Sequence, residues 1–131
     1  MDDKLIIKMY TEIFLTSIRS SAVSWDNSLI LMGDMTRSWE RLNPGIAAGR
    51  EEVAVIEEMC GNAREICKKV FDRSVEYMQY YTTPREPSSY LPMIEEMRDL
   101  NEEMIEAGSK VRDRYQKLSV AFFNTDFRPE V

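Results

Sequence analysis

Histidine is absent from this chain, and that absence removes more chemistry than any motif supplies. Without an imidazole there is no histidine-based triad, no histidine-ligated haem and no Cys/His zinc site; acid–base work would fall to carboxylates, lysine, tyrosine or cysteine. Glycine and proline are scarce, five of each in 131 residues, too few turn residues for a sandwich or a barrel. No apolar run approaches the roughly 20 residues that span a bilayer, and the opening residues carry no basic-led apolar segment with a small-residue cleavage site. The expectation is a cytoplasmic, intracellular protein, with export lacking a conventional signal as the alternative.

There are only two cysteines, Cys60 and Cys67. On a helix they lie about 10 Å apart along the axis, too far for a disulfide, and both read as small buried apolar side chains in a reducing compartment. An excess of positive charge is missing too. Seventeen basic side chains against 23 acidic ones leave a net charge of −6, which disfavours phosphate backbones and anionic lipid. Nucleic acid is not expected as a partner, and a membrane is an unfavourable one.

What is present is apolar patterning. Residues that are 44% apolar and 31% charged, over this length, suffice for one helical domain with a real core. Asn43-Pro44 is a helix start, a capping side chain followed by proline at the first helical position. From there Ile46, Gly49, Val53, Ile56, Cys60, Ala63, Cys67, Val70, Ser74, Tyr77 and Tyr81 alternate at spacings of three and four, a heptad seam. Prolines and serines in residues 82–92 (TTPREPSSYLP) end it. Tyr90, Ile94, Met97, Asn101, Met104, Gly108, Val111, Tyr115, Leu118 and Phe122 then repeat the spacing, before a short tail, 124–131.

In the first third, Ile7, Thr11, Phe14, Ile18, Ser21, Trp25, Ser28, Met32, Met35, Trp39 and Leu42 hold the same register straight through TSIRSSAVSWDNS. A loop would have no reason to keep it; the rival reading breaks the helix and makes Ser24 the cap of a separate one. The expected fold is therefore all-α: an up-down-up bundle of three long antiparallel helices at about 3–42, 44–82 and 89–123, with coiled-coil-like packing, in a single domain over 1–123. Folding these helices up and down sets Trp25 level with Ala63 and Gly108, and Phe122 level with Gly49. Large faces small, as close packing requires.

Some constellations invite a chemical reading and lose it. The doubled carboxylates Glu51-Glu52, Glu57-Glu58, Glu95-Glu96 and Glu102-Glu103 suggest the inward acids of a two-metal bundle. In these seams, however, Glu95, Glu96, Glu102 and Glu103 take b and c positions and Glu51 and Glu58 take f, all facing water, and a Glu-x-x-His element is impossible here. No metal, cofactor or catalytic residue is expected. Asn101, the one strongly polar residue deep in a seam, reads as fixing register. The charge runs oppose one another if the last two helices are antiparallel: acidic EEMRDLNEEMIE against Arg64, Lys68, Lys69 and Arg73, and basic KVRDRYQK against REEVAVIEE. Each exposed pair contributes a few tenths of a kcal/mol, and together they select the hairpin's orientation.

The outward positions of the second helix are Glu51, Glu58, Glu65, Asp72 and Gln79, and those of the third are Asp99, Glu106 and Asp113, as solvated faces should be. The first helix differs. Ile6, Met9, Ile13, Val23 and Ile30 point outward, and Leu15 and Leu29 flank its seam. Three helices cannot bury such a rod, and nine methionines, several on this side, suit an adaptable surface. These seven residues form the candidate interface of a non-enzymatic protein–protein interaction module. It would join a second copy as a homodimer, or a heterologous protein partner, through the first helix. In general character the chain is similar to small acidic helical secretion chaperones and cytosolic adaptors, a likeness of architecture without a shared motif. The alternative is a small-ligand-binding bundle or enzyme with a pocket near Trp25 and Asn101.

Overall fold

A computed structural model describes residues 2–42 and 47–126, with side chains described for 2–42 and 50–122. Three long helices carry almost all of it: α1, Asp3–Leu42; α2, Ala47–Tyr80; and α3, Leu91–Asp126, entered through a short 3-10 turn, Pro87–Tyr90. Helix α1 runs unbroken for 40 residues, so the stretch 16–28 is mid-helix and the reading with Ser24 as a cap falls. Asp2 starts it, its carboxylate accepting the Lys4 backbone N–H at 3.1 Å. The Asn43-Pro44 start and Ile46 lie outside the described residues, and Gly49, within α2, lies outside those whose side chains are described, as does its pairing with Phe122. Helix α3 continues to Asp126, past the point where the tail was expected to begin.

Between α2 and α3 the sequence's prolines act as their chemistry requires. Glu86, preceding Pro87, is extended (φ −59°, ψ 137°). Ser89 closes the turn by donating its backbone N–H (2.9 Å) and its hydroxyl (2.7 Å) to the Glu86 carbonyl. The Tyr81 hydroxyl donates to the Ser89 carbonyl at 2.9 Å, and the Arg85 guanidinium lies 4.3 Å from the Tyr80 ring centre. This stitching ends α2 and delays α3, each by about two residues from the expected bounds.

Cross-helix contacts give the topology. Asp26 pairs with Arg64 and Arg37 with Glu57, so α1 and α2 run antiparallel. Glu52 pairs with Arg114 and Arg73 with Glu96, so α2 and α3 do as well. These last two pairs join the acidic half of each helix to the basic half of the other, as the charge runs implied. Trp25 meets Gly108, and the tilted rings of Trp39 and Phe122 meet at 5.5 Å between centres, which sets α3 parallel to α1.

The α2 seam is buried where it was expected, from Val53 and Ile56 through Cys60, Ala63, Cys67 and Val70 to Ser74. Helix α1 is turned from its expected setting. Its buried row is Thr11, Leu15, Ile18, Ala22, Leu29, Met32, Gly33 and Thr36, while Phe14 and Ser21 are half-buried and Ser28 and Met35 exposed. Alternate members of the row have moved one residue along, a rotation of about 50° at 100° per residue. The physical reason is size: Ala22, Gly33 and Thr36 let α1 approach the short side chains of α2, and a Cβ on Gly33 would lie 4.0 Å from Cys60 Sγ. In α3, Met93 and Leu100 likewise take the places expected of Ile94 and Asn101. Thr11, Thr36 and Ser74 satisfy their buried hydroxyls by donating to carbonyls of the preceding turn at 2.8, 2.7 and 2.6 Å.

Trp25 fits closely over Gly108 where α1 meets α3. A Cβ built on Gly108 would stand 2.4 Å from Trp25 Cε3, inside any real contact, whereas one on Gly61 would meet nothing within 4 Å. Gly108→Ala should therefore lower unfolding stability by about 1–2 kcal/mol despite alanine's better helix propensity. Gly61→Ala should raise it by about 0.5–1 kcal/mol. Urea unfolding followed by tryptophan fluorescence measures both, and equal effects of the two changes would contradict this packing.

Candidate functional site

Turning α1 has a direct effect on the predicted interface. Leu15 and Leu29 are both 0% exposed and belong to the core. Their assignment to the interface is corrected: they occupy the row that the rotation carried inward. The other five remain at or near the surface, Ile13 at 62% exposure, with Met9, Val23 and Ile30 exposed and Ile6 half-buried. They do not form one strip. Val23 and Ile30 sit on the flank beside α2, where Val23 lines a shallow groove with Gly61, Cys67 and the exposed ring of Phe71.

The row directly opposite the core runs at helical spacing along the whole of α1. It begins with Ile6, Met9 and Ile13, passes through Ser17, Ser20, Ser24 and Asn27, and ends with Leu31, Met35 and Leu42, none of them buried. Two apolar stretches thus flank a hydroxyl-rich middle. Leu31 and Met35 were missed because Met35 was assigned to the seam and Leu31 to neither face; only the helix's actual rotation exposes them. Leu31 is 62% exposed, like Ile13. The exposed ring of Tyr10 adjoins the first stretch. Among the methionines of the described residues, only Met9 and Met35 are on this side and exposed; Met32, Met93, Met97 and Met104 are core residues.

A second feature lies on the α1 flank facing α3. Ser21, Ser24, Trp25, Ser28, Leu31 and Arg112 line an open groove, with the Arg112 guanidinium 5.8 Å from the centre of the Trp25 ring. Asn101 does not line it. That residue sits about three turns from Arg112 on α3, half-buried, with its Oδ1 shut from solvent and lacking a hydrogen-bond partner. The structure does not bring Trp25 and Asn101 into one pocket.

Burial pushes the Cys67 thiol up to about 11 and raises Cys60 too, which suppresses the reactive thiolate of both. Glu51, Glu58, Glu95, Glu102 and Glu103 are exposed. Among the described residues no group of three or more acids and thiols could hold a metal ion. Glu96 is instead an ion-pair member: Arg73 donates to it through Nε at 2.8 Å and Nη2 at 3.1 Å, and the Tyr77 hydroxyl donates to the same carboxylate. Hydrogen bonding from Arg73 holds Glu96 below its ordinary 4.5, while burial, followed by the carboxylate, raises Tyr77 above its ordinary 10.0.

No helix among the described residues is long and apolar enough to cross a membrane. No protein-family model matches the chain, and neither a curated protein nor a solved structure shows a significant match to it.

The Arg73, Tyr77 and Glu96 cluster predicts a pH profile. Glu96 is a stronger acid folded than unfolded, so its contribution to stability is present above about pH 4.5 and is lost as pH falls below it. Tyr77 is a weaker acid folded, so its contribution is present below pH 10.0 and is lost above it. Thermal unfolding of Glu96→Gln should show a lower midpoint at neutral pH and a flatter decline on acidification. An unchanged acid limb would separate Glu96 from the folding equilibrium.

Proposed function

We propose that this chain is a non-enzymatic protein–protein interaction module, of adaptor or assembly-chaperone type, that associates through the outward face of α1. The observation that supports this is the pair of apolar stretches around Met9 with Ile13 and Leu31 with Met35, solvent-exposed on a helix whose opposite face is already committed to the core. Apolar side chains are also exposed on the other two helices, Leu91 and Val120 near the ends of α3 among them, but the outward positions between these two are mostly charged, Glu95, Arg98, Glu102, Glu106 and Asp113. Covering one such aliphatic side chain returns about 1.5–3 kcal/mol, and four engaged together can offset the entropy lost on docking.

The double variant Ile13→Glu, Leu31→Glu tests this reading. Both side chains are exposed, so unfolding stability should stay within about 0.5 kcal/mol of wild type. Association, measured as mass by light scattering and as retention of protein partners from the host's own lysate, should be lost. Identical association by wild type and variant would refute the reading, and so would unfolding of the variant.

The groove of Trp25, the serines and Arg112 favours a second reading, a binding site for a small anionic ligand that stacks on the indole and pairs with the guanidinium. Titrating small carboxylates and phosphate esters should then quench or shift tryptophan emission in wild type and not in Arg112→Ala. No response from either chain would dismiss it.

A further inference from the structure

We infer that the partner at the outward face of α1 is a second copy of this chain, bound antiparallel about a two-fold axis near position 22; this deepens the interaction reading and rests on it. A two-fold contact needs a surface complementary to itself. The exposed row of α1 has that arrangement from Met9 to Met35, beyond which Ile6 falls level with Ser38 and Leu42 with Asp2. Ile13 and Leu31 each lie nine positions from residue 22, about 13 Å along the axis, and Met9 and Met35 each lie thirteen, about 20 Å. Antiparallel pairing about that point sets Ile13 against Leu31 of the second copy, and Met9 against Met35. At the axis Ser20 comes opposite Ser24, where short side chains let two backbones close and each hydroxyl can both donate and accept.

A parallel pair would match the apolar residues with their own copies equally well, and the helix ends decide against it. Parallel pairing sets exposed Asp2 and Asp3 against their own images at one end and Arg41 against itself at the other, with the helix dipoles aligned. Antiparallel pairing opposes the dipoles and sets Asp3 level with Arg41 of the second copy, on the flanks of the contact.

Size fixes the character of the dimer. The matched stretch from Met9 to Met35 extends about 40 Å, and a strip about 10 Å wide along it covers about 400 Å² per copy. A standard stable interface buries about 800 Å² per partner. The dimer is therefore one in exchange with single chains, populated as concentration rises.

The test mixes Met9→Cys chains with Met35→Cys chains under mild oxidation, leaving Cys60 and Cys67 in place because both are buried. Cross-linked dimers are read on a non-reducing gel beside concentration-dependent light scattering. The expected results are a mass rising from 15.3 kDa toward twice that value, and cross-linking about ten-fold stronger in the mixture than in either variant alone. Ile13→Glu introduced into both chains should abolish the cross-link. Cross-linking as strong in the separate variants as in the mixture would mean parallel pairing and overturn the inference. A mass fixed at one chain at every concentration would overturn it as well. A heterologous partner that wild type retains and the Ile13→Glu, Leu31→Glu chain loses would in that case leave the interaction reading intact, so the two failures are distinguishable.

Discussion

Where α1 meets α2 the facing side chains are short: Ala22, Gly33 and Thr36 on one helix, Cys60, Ala63 and Cys67 on the other, all buried. Short side chains let two helices come close, and close contact is where dispersion and apolar burial gain most per residue. The rotation of α1 about its own axis follows from this. Once Ala22 and Gly33 face α2, Leu15 and Leu29 must turn inward with them, and the row containing Ile13, Leu31 and Met35 must turn to the far side. The exposed apolar face is thus a consequence of how the core is made, set by a rigid helix that can present only one side at a time.

On the α3 side the same helix is fitted differently. Trp25 lies over Gly108 and Trp39 over Phe122, large groups received by a small one and by a ring, and the contact between α1 and α3 is the least extensive of the three helix pairs. A tryptophan cannot enter the close α1 and α2 contact without forcing the helices apart. Placed at the flank, it fills the wider space toward α3 and leaves the serine-lined groove beside it. Opposite charges then fix which way the hairpin of α2 and α3 closes, with Arg73 reaching Glu96 near one end and Arg114 reaching Glu52 near the other. The Arg114 and Glu52 pair is exposed and weak alone, while the Arg73 and Glu96 pair is half-buried; placed at opposite ends they oppose a reversed or slipped hairpin.

Helix number, helix length and the α2 seam were legible in the sequence because period and punctuation agree there: an unbroken alternation of three and four, bounded by the prolines of 82–92. The rotation of α1 was not. At Phe14 or Leu15, Ser21 or Ala22, Ser28 or Leu29, and Met35 or Thr36, both neighbours are small or apolar, so a pattern of spacings fits either choice. What decides is the volume available across the interface, which depends on Cys60, Ala63 and Cys67 in another helix. Asn101 and Leu100 pose the same problem in α3. The candidate surface was accordingly legible in part. Ile6, Met9 and Ile13 stand out as apolar residues with no inward role, whereas Leu31 and Met35 could be recognised as their counterparts only after the helix's setting was known, and Leu15 and Leu29 then changed sides.

The serine-rich middle of the exposed face is as informative as its apolar ends. A continuous apolar row along 40 residues would be a large contiguous patch and an aggregation hazard. Interrupting it with Ser17, Ser20, Ser24 and Asn27 divides it into two smaller ones. Each is small enough to remain in water, yet both are fixed on one rigid rod at a set separation. A partner that reaches only one stretch gains half of the available burial. One that matches the separation engages the second stretch without a further loss of translational freedom, which is how linked weak contacts acquire selectivity. An antiparallel copy of α1 has that separation built in, because its own spacing is the one to be matched.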